Sequence, residues 1–196
     1  MAEPEIRIQS VQVLSDDWAI LKKTVLDYRR RDGTWQTLVR QTYDRGHGAA
    51  VLPYDAGRGT VLLIRQFRYP AYVTGHREPL IEVCAGLLDK DEPETCICRE
   101  AEEETGYRIR NARRIFDVFM SPGSVTERLA FFLADYSPAD RLNTGGGDAG
   151  EGEDIEVLEM PLAEALAMIG RGAIIDGKTI MLLQHLALER LQPPSR

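Results

Sequence analysis

The stretch GLLDKDEPETCICREAEEETGY, Gly86 to Tyr107, decides how this chain is read. From Pro93 to Thr105 it consists of good helix formers, with Pro93 suited to a first turn and Gly106 to the left-handed cap that closes a helix. The spacing predicts a helix over 93–105. On such a helix Glu100 and Glu104 stand one turn apart on one face with Glu103 beside both, whereas Glu102 points elsewhere. Like charges at that spacing repel and oppose the helix. Carboxylates gathered on one face suit a hard divalent cation, and magnesium fills its remaining positions with water and substrate phosphates. A bound cation turns the repulsion into attraction. For an isolated run of glutamates, the plain alternative is a solvated acidic face.

Composition bounds the rest. The 196 residues suffice for one domain, or for one domain with an appendage. Hydrophobic residues at 43% and charged residues at 28% belong to an ordinary globular protein, and a net charge of −7 argues against general nucleic-acid or membrane-surface binding, which relies on clustered positive charge. No window reads as a membrane span, and MAEPEIRIQS lacks the basic start and apolar core of a signal peptide. Cys84, Cys96 and Cys98 are odd in number and lack zinc spacing, so a reduced cytoplasm is the expected location. They are expected to pack as small apolar residues. His47, His76 and His185 have no partner acid at a telling spacing, and histidine catalysis is not expected.

Outward from the helix, strands come first and helices later. The segment from Asp17 to Gly46 reads as extended pieces around Asp32-Gly33, a strong hairpin signal. AAVLPYDAGRGTVLLIRQFRYP offers two apolar runs split at Asp55-Ala56-Gly57, and EPLIEVCAGLL is a further apolar segment ending near a glycine. RRIFDVFMS and ERLAFFLADY read as strands flanking Ser121-Pro122-Gly123. PLAEALAMIG and KTIMLLQHLALERL read as amphipathic helices. NTGGGDAGEGED, Asn143 to Asp154, is the low-complexity segment, either a solvated connector or a mobile lid that brings a carboxylate to the reaction.

Taken whole, Gly86 to Tyr107 resembles the signature of the Nudix hydrolases: Gly86, Glu92, Arg99, Glu100, Ala101, Glu103, Glu104, Gly106 and Tyr107 fill it in order. One departure is a spacer between Glu92 and Arg99 that is one residue shorter than usual. It falls in the loop and leaves the helix half intact. The resemblance implies an α/β/α sandwich on a mixed sheet and hydrolysis of a nucleoside diphosphate joined to another group, with Mg2+ or Mn2+. LSDDW, YDRG, LIRQFR, IEVCAGLLDKDEPE, MSPGSVTE, GGG, EDIEVLE and DGKT are similar to the GDP-mannose hydrolase branch, close to the ADP-ribose hydrolases. That branch implies a homodimer whose N-terminal β regions exchange, with residues 1–45 as the dimerisation region and 46–196 as the hydrolase domain.

The same resemblance assigns roles residue by residue. Metal falls to Glu100, Glu104, Glu153 and the Ala85 carbonyl. Catalysis falls to Glu103, to Arg99 as holder of a helix glutamate, and to a loop base, Glu153 or Glu151, which stays open. Substrate contacts are implied for Trp18, Arg40, Arg68, Gly86, Leu87, Glu127 and Lys178. Plain readings stand beside these: Arg65 and Arg68 as solvent-facing strand residues, Trp18 as filler of a dimer seam, Lys178 as an exposed helix start. The expected activity is hydrolysis of GDP-mannose to GMP and mannose 1-phosphate. Alternatives are ADP-ribose hydrolysis to AMP and ribose 5-phosphate, and a regulator that binds a nucleotide sugar without turnover.

Overall fold

The computed structural model describes residues 5–88 and 90–191. The chain divides into two compact units, Met1–His47 with Val118–Arg128, and Gly48–Asp117 with Leu129–Arg196.

In the first unit, β1 (Ile6–Asp16), β2 (Ile20–Arg29) and β3 (Trp35–Asp44) form an antiparallel sheet in that order. The β2–β3 hairpin turns where the sequence predicts: Gly33 takes φ +83°, and the Asp32 carboxylate accepts hydrogen bonds from the Thr34 N–H at 3.0 Å and the Thr34 hydroxyl at 2.6 Å. β1 falls within the expected N-terminal β region but ahead of the extended pieces read from Asp17 onward, and its alternation breaks: Ile6 and Ile8 are in phase, then Val11 and Val13 are one residue out. A bulge between Ile8 and Ser10 absorbs the slip. Ile6, Ile8, Val11 and Val13 therefore pair with Tyr28, Leu26, Thr24 and Lys22, alternate residues on one face of β2. All four are more than half exposed, so this apolar face is left unburied. The 118–128 segment fastens to β3, where the Tyr43 N–H donates to the Ser124 carbonyl at 2.8 Å and the Thr126 N–H donates to the Tyr43 carbonyl at 3.1 Å.

The second unit is built on a mixed sheet. β4 (Gly48–Asp55) runs antiparallel to β5 (Thr60–Gln66) and β7 (Cys84–Leu87) and parallel to β9 (Arg128–Asp135). β6 (Leu80–Glu82) pairs with β5, β8 (Arg110–Phe119) flanks β9, and β10 (Glu156–Pro161) closes the far edge on β5. The helices are α1 (Tyr69–Val73), α2 (Pro93–Thr105), α3 (Leu162–Gly170) and α4 (Gly177–Leu191). Every residue of β4 is buried, which requires cover on both faces. On one face α2 packs Ile97 and Ala101 against Ala49 and Val51 of β4 and Ala130, Phe132 and Ala134 of β9. On the other, α4 lies against β4 and β6 and buries Leu182, Leu183 and Leu186. Truncating a fully buried side chain such as Ile97 to Ala costs about 2–5 kcal/mol. The result is the helix–sheet–helix layering expected of an α/β/α sandwich.

One expected element divides in two. EPLIEVCAGLL forms β6 on β5 and then β7 on β4. At the crossing the Val83 N–H leaves the ladder and donates to the Thr179 hydroxyl at 2.8 Å, so α4 pins the change of partner. No helix among the described residues is long and apolar enough to cross a membrane.

Candidate active site

α2 begins at Pro93 behind Glu92 and ends at Gly106, whose φ of +77° is the left-handed cap that glycine favours. Its signature glutamates have three different environments. Glu104 points into the protein at 1% exposure, its Oε2 accepting from the Ala85 N–H at 3.2 Å with the Cys84 thiol beside it. Burial, then the charges of Glu100 and Glu153, push its pKa up to about 8. Glu100 is half-buried and packs against the backbone of Gly86, where an added β-carbon would lie 2.5 Å from the Glu100 Cγ and closer still to its carboxyl. Only glycine leaves that space. Glu103 stands farther out, exposed, and Arg99 reaches both neighbours, at 3.0 Å to Glu100 and 3.1 Å to Glu103, with Asp91 at 3.9 Å. Glu102 makes none of these contacts. Leu87 closes the strand segment, its carbonyl accepting from the Cys96 thiol at 3.3 Å.

The glycine-rich segment is docked, not loose. Gly145, Gly146 and Gly147 have φ of +66°, +122° and +78°, and the Gly146 and Gly147 N–H groups donate to the Glu104 and Glu103 carbonyls at 3.0 and 3.1 Å. A β-carbon on Gly145 would lie 2.5 Å from the Glu104 carbonyl oxygen. The glycines thus serve close approach to the C-terminal end of α2, instead of the swing that composition suggested. Glu153 is fixed by the same fold-back: its Oε2 accepts from the Asp148 N–H at 2.9 Å. Its field reaches Glu104. The backbone of Glu151 lies in a short 3-10 turn, Ala149–Glu151, and its side chain lies outside the described residues.

Arg68 and Lys178, far apart in sequence, meet on one residue the sequence reading passed over. Glu82 is 3% exposed; its Oε2 accepts from Arg68 Nε at 2.9 Å and from a terminal guanidinium nitrogen at 2.8 Å, and its Oε1 accepts from Lys178 Nζ at 3.0 Å. Lys178 is largely buried, so the plain reading of it as an exposed helix start is corrected. A charged residue inside the apolar run LIEVC was the available signal, because a lone buried carboxylate requires partners. Arg65 instead pairs with Glu156 across the β5–β10 ladder at 2.7 Å. Arg68 and Glu153 line one cleft of about 470 Å³ in this unit.

Trp18, Arg40 and Glu127 belong to the first unit. Trp18 is 69% exposed, and the Arg45 guanidinium lies 5.5 Å from its ring and 3.1 Å from Glu127. Arg40 is exposed and donates to the Val39 carbonyl at 2.9 Å.

The donor set of the second unit suits a hard divalent cation. Among the described residues, no three His, Cys, Asp or Glu side chains are placed so that they could hold a metal ion together. Magnesium does not need such a set, since it keeps waters and shares substrate phosphates. Burial is the main cause of the raised proton affinity of Glu104, and the charges of Glu100 and Glu153 add to it; a bound cation would relieve that repulsion.

Comparison with known proteins agrees along most of the chain. The family model of the NUDIX domain matches residues 44–183, and that of the GDP-mannose pyrophosphatase NudK N-terminal domain matches residues 5–43. A GDP-mannose pyrophosphatase of Pectobacterium atrosepticum is 54% identical over 186 residues, covering 94% of this chain and 95% of its own. One from Escherichia coli is 50% identical over 188 residues, covering 95% and 97%, and one from Citrobacter koseri is 53% identical over 176 residues, covering 89% and 91%. A crystal structure of an ADP compounds hydrolase superposes with a TM-score of 0.71 at 17% identity, covering 97% of this chain and 95% of the other, and so shares the fold.

Proposed function

This chain belongs to the Nudix hydrolases, and on that premise we propose that it hydrolyses the pyrophosphate bond of a nucleotide sugar, GDP-mannose and water giving GMP and mannose 1-phosphate. The observation that carries the reading is the placement of Glu104, buried against Ala85 within the fields of Glu100 and Glu153. A binding module has no use for such a costly carboxylate. Relatives matched nearly end to end carry the name GDP-mannose pyrophosphatase, which supplies the substrate.

Glu100, Glu104, Glu153 and the Ala85 carbonyl would hold Mg2+, with Mn2+ as a substitute. When bound, the cation neutralises phosphate charge and makes the attacking water more acidic. The chain's own groups do the rest. Arg99 holds Glu100 and Glu103 by charge-assisted hydrogen bonds. Glu153, oriented by the Asp148 N–H, accepts the proton of the attacking water, and Glu151 is the alternative holder of that role. Arg68 and Lys178 take phosphate or sugar oxygens, beside the backbone of Gly86 and Leu87.

The protein acts as a homodimer in which residues 1–45 exchange and cover the exposed face of Ile6, Ile8, Val11 and Val13, while residues 46–196 form the hydrolase domain. Trp18, Arg40 and Glu127 then complete the substrate site. Cys84, Cys96 and Cys98 form no disulfide, which suits a reducing cytoplasm. The test is a phosphatase-coupled release assay on GDP-mannose. Phosphate should appear only with divalent metal and should vanish in Glu104→Gln; release unchanged by chelation and by Glu104→Gln would overturn the proposal.

A further inference from the structure

We infer that Glu82 is a positioning residue for substrate binding, holding the guanidinium of Arg68 in the orientation that meets the substrate and tying it to Lys178. This rests on the reading above that Arg68 contacts the nucleotide sugar.

The geometry is that of a bracket. Glu82 ends β6, at the point where the chain passes from β5 to β4, and its carboxyl is almost wholly buried. One oxygen takes both the Nε and a terminal nitrogen of Arg68, and also Gln66 Nε2 at 3.3 Å. The other takes Lys178. Lys178 is in turn bound at 3.0 Å to Asp176, whose second oxygen accepts from the Thr179 N–H at 2.9 Å and hydroxyl at 2.6 Å at the start of α4. Since the Thr179 hydroxyl accepts from the Val83 N–H, the chain of bonds returns to the residue after Glu82. Arg68 is thus fixed on its inner edge by an element of the core.

Its outer edge is left for a ligand. A guanidinium has five N–H donors, and Glu82 engages the Nε side only. The side chain is 40% exposed, on the cleft that Glu153 also lines. An arginine free to rotate gives up its rotamer entropy when a phosphate binds, whereas one already held has given it up on folding. Glu82 also acts in the opposite sense, because a negative charge behind an anion site weakens the attraction. The two effects separate by substitution. Glu82→Asp keeps the charge and shortens the reach by one methylene, so it reports orientation alone.

The experiment measures kcat and KM for GDP-mannose in wild type, Glu82→Asp, Arg68→Ala and the double variant. Glu82→Asp should raise KM about ten-fold with kcat held within about two-fold. In the Arg68→Ala background it should change KM markedly less than in wild type, because most of its effect passes through Arg68 and only the remainder through Lys178. Additive losses in the double variant, or a fall in kcat at unchanged KM, would overturn the inference while leaving Arg68 as a substrate contact. An unchanged KM in Arg68→Ala would remove Arg68 from the substrate site, and the inference with it, without touching hydrolysis itself. Should Glu82→Asp not fold, wild type still decides. Its Arg68 Nε–H, assigned by its loss in Arg68→Ala, should give a resolved, slowly exchanging 15N–1H signal. Averaging of that signal with the other arginines would overturn the inference.

Discussion

The backbone of Gly86 and the side chain of Glu100 share a space with no room for a methyl group, since a β-carbon on Gly86 would sit 2.5 Å from the Glu100 Cγ. The obstructed atoms are the far end of a flexible side chain. Gly86→Ala should therefore leave the fold intact, within about 1 kcal/mol, while pushing the Glu100 carboxyl aside. A misplacement of that size costs about 10²-fold in rate. Melting temperature and kcat/KM of the variant check both halves; loss of the fold, or full activity, would count against the close packing as the reason for glycine here.

Glu104 makes stability depend on pH in a defined direction. Its pKa rises from the ordinary 4.5 to about 8, chiefly through burial. Between those values the folded protein keeps a proton that the unfolded chain has lost, so metal-free stability falls as pH rises through that window. A divalent cation displaces the proton, and the gain in melting temperature on adding magnesium should be larger at pH 8 than at pH 6. Glu104→Gln should flatten the slope and abolish turnover. Melting curves with and without chelator across this range decide it; metal-free stability that climbs with pH would contradict the sign.

Glu153 is oriented by its loop, its Oε2 accepting from the Asp148 N–H, and the role proposed for it is proton acceptance. Glu153→Gln should lower kcat by about 10²-fold or more with KM little changed, the pattern of a contact made mainly in the transition state. Glu151→Gln should be milder. If Glu151→Gln proved the more damaging in steady-state kinetics, the base would move two residues toward the N-terminus.

The apolar face of β1 is exposed, and the proposed dimer covers it. Light scattering should give a dimer, and the Val11→Lys/Val13→Lys variant, which places two charges on that face, should be monomeric or insoluble with weakened substrate binding. A monomeric wild type would remove the exchange from the account.

The sequence was most legible where one residue type carries one physical requirement. Pro93 and Gly106 bounded α2, Asp32-Gly33 turned the β2–β3 hairpin, and the unbroken apolar run Leu129 to Ala134 marked β9 as a strand. It was least legible where the cause lies elsewhere in the chain. β1 hid behind a phase slip that only pairing with β2 resolves. The division of β6 from β7 depends on Thr179, almost a hundred residues later, and the burial of Glu82 depends on Arg68 and Lys178 arriving from two other elements. The glycines of Gly145–Gly147 read as freedom and proved to be close contact, because composition carries no information about what a loop lies against.

The central claim is tested most directly by setting GDP-mannose against ADP-ribose with magnesium and measuring kcat/KM and products for each. The account predicts GMP and mannose 1-phosphate, with GDP-mannose preferred by about ten-fold or more. Faster turnover of ADP-ribose, or binding of GDP-mannose without release of either monoester, would contradict it.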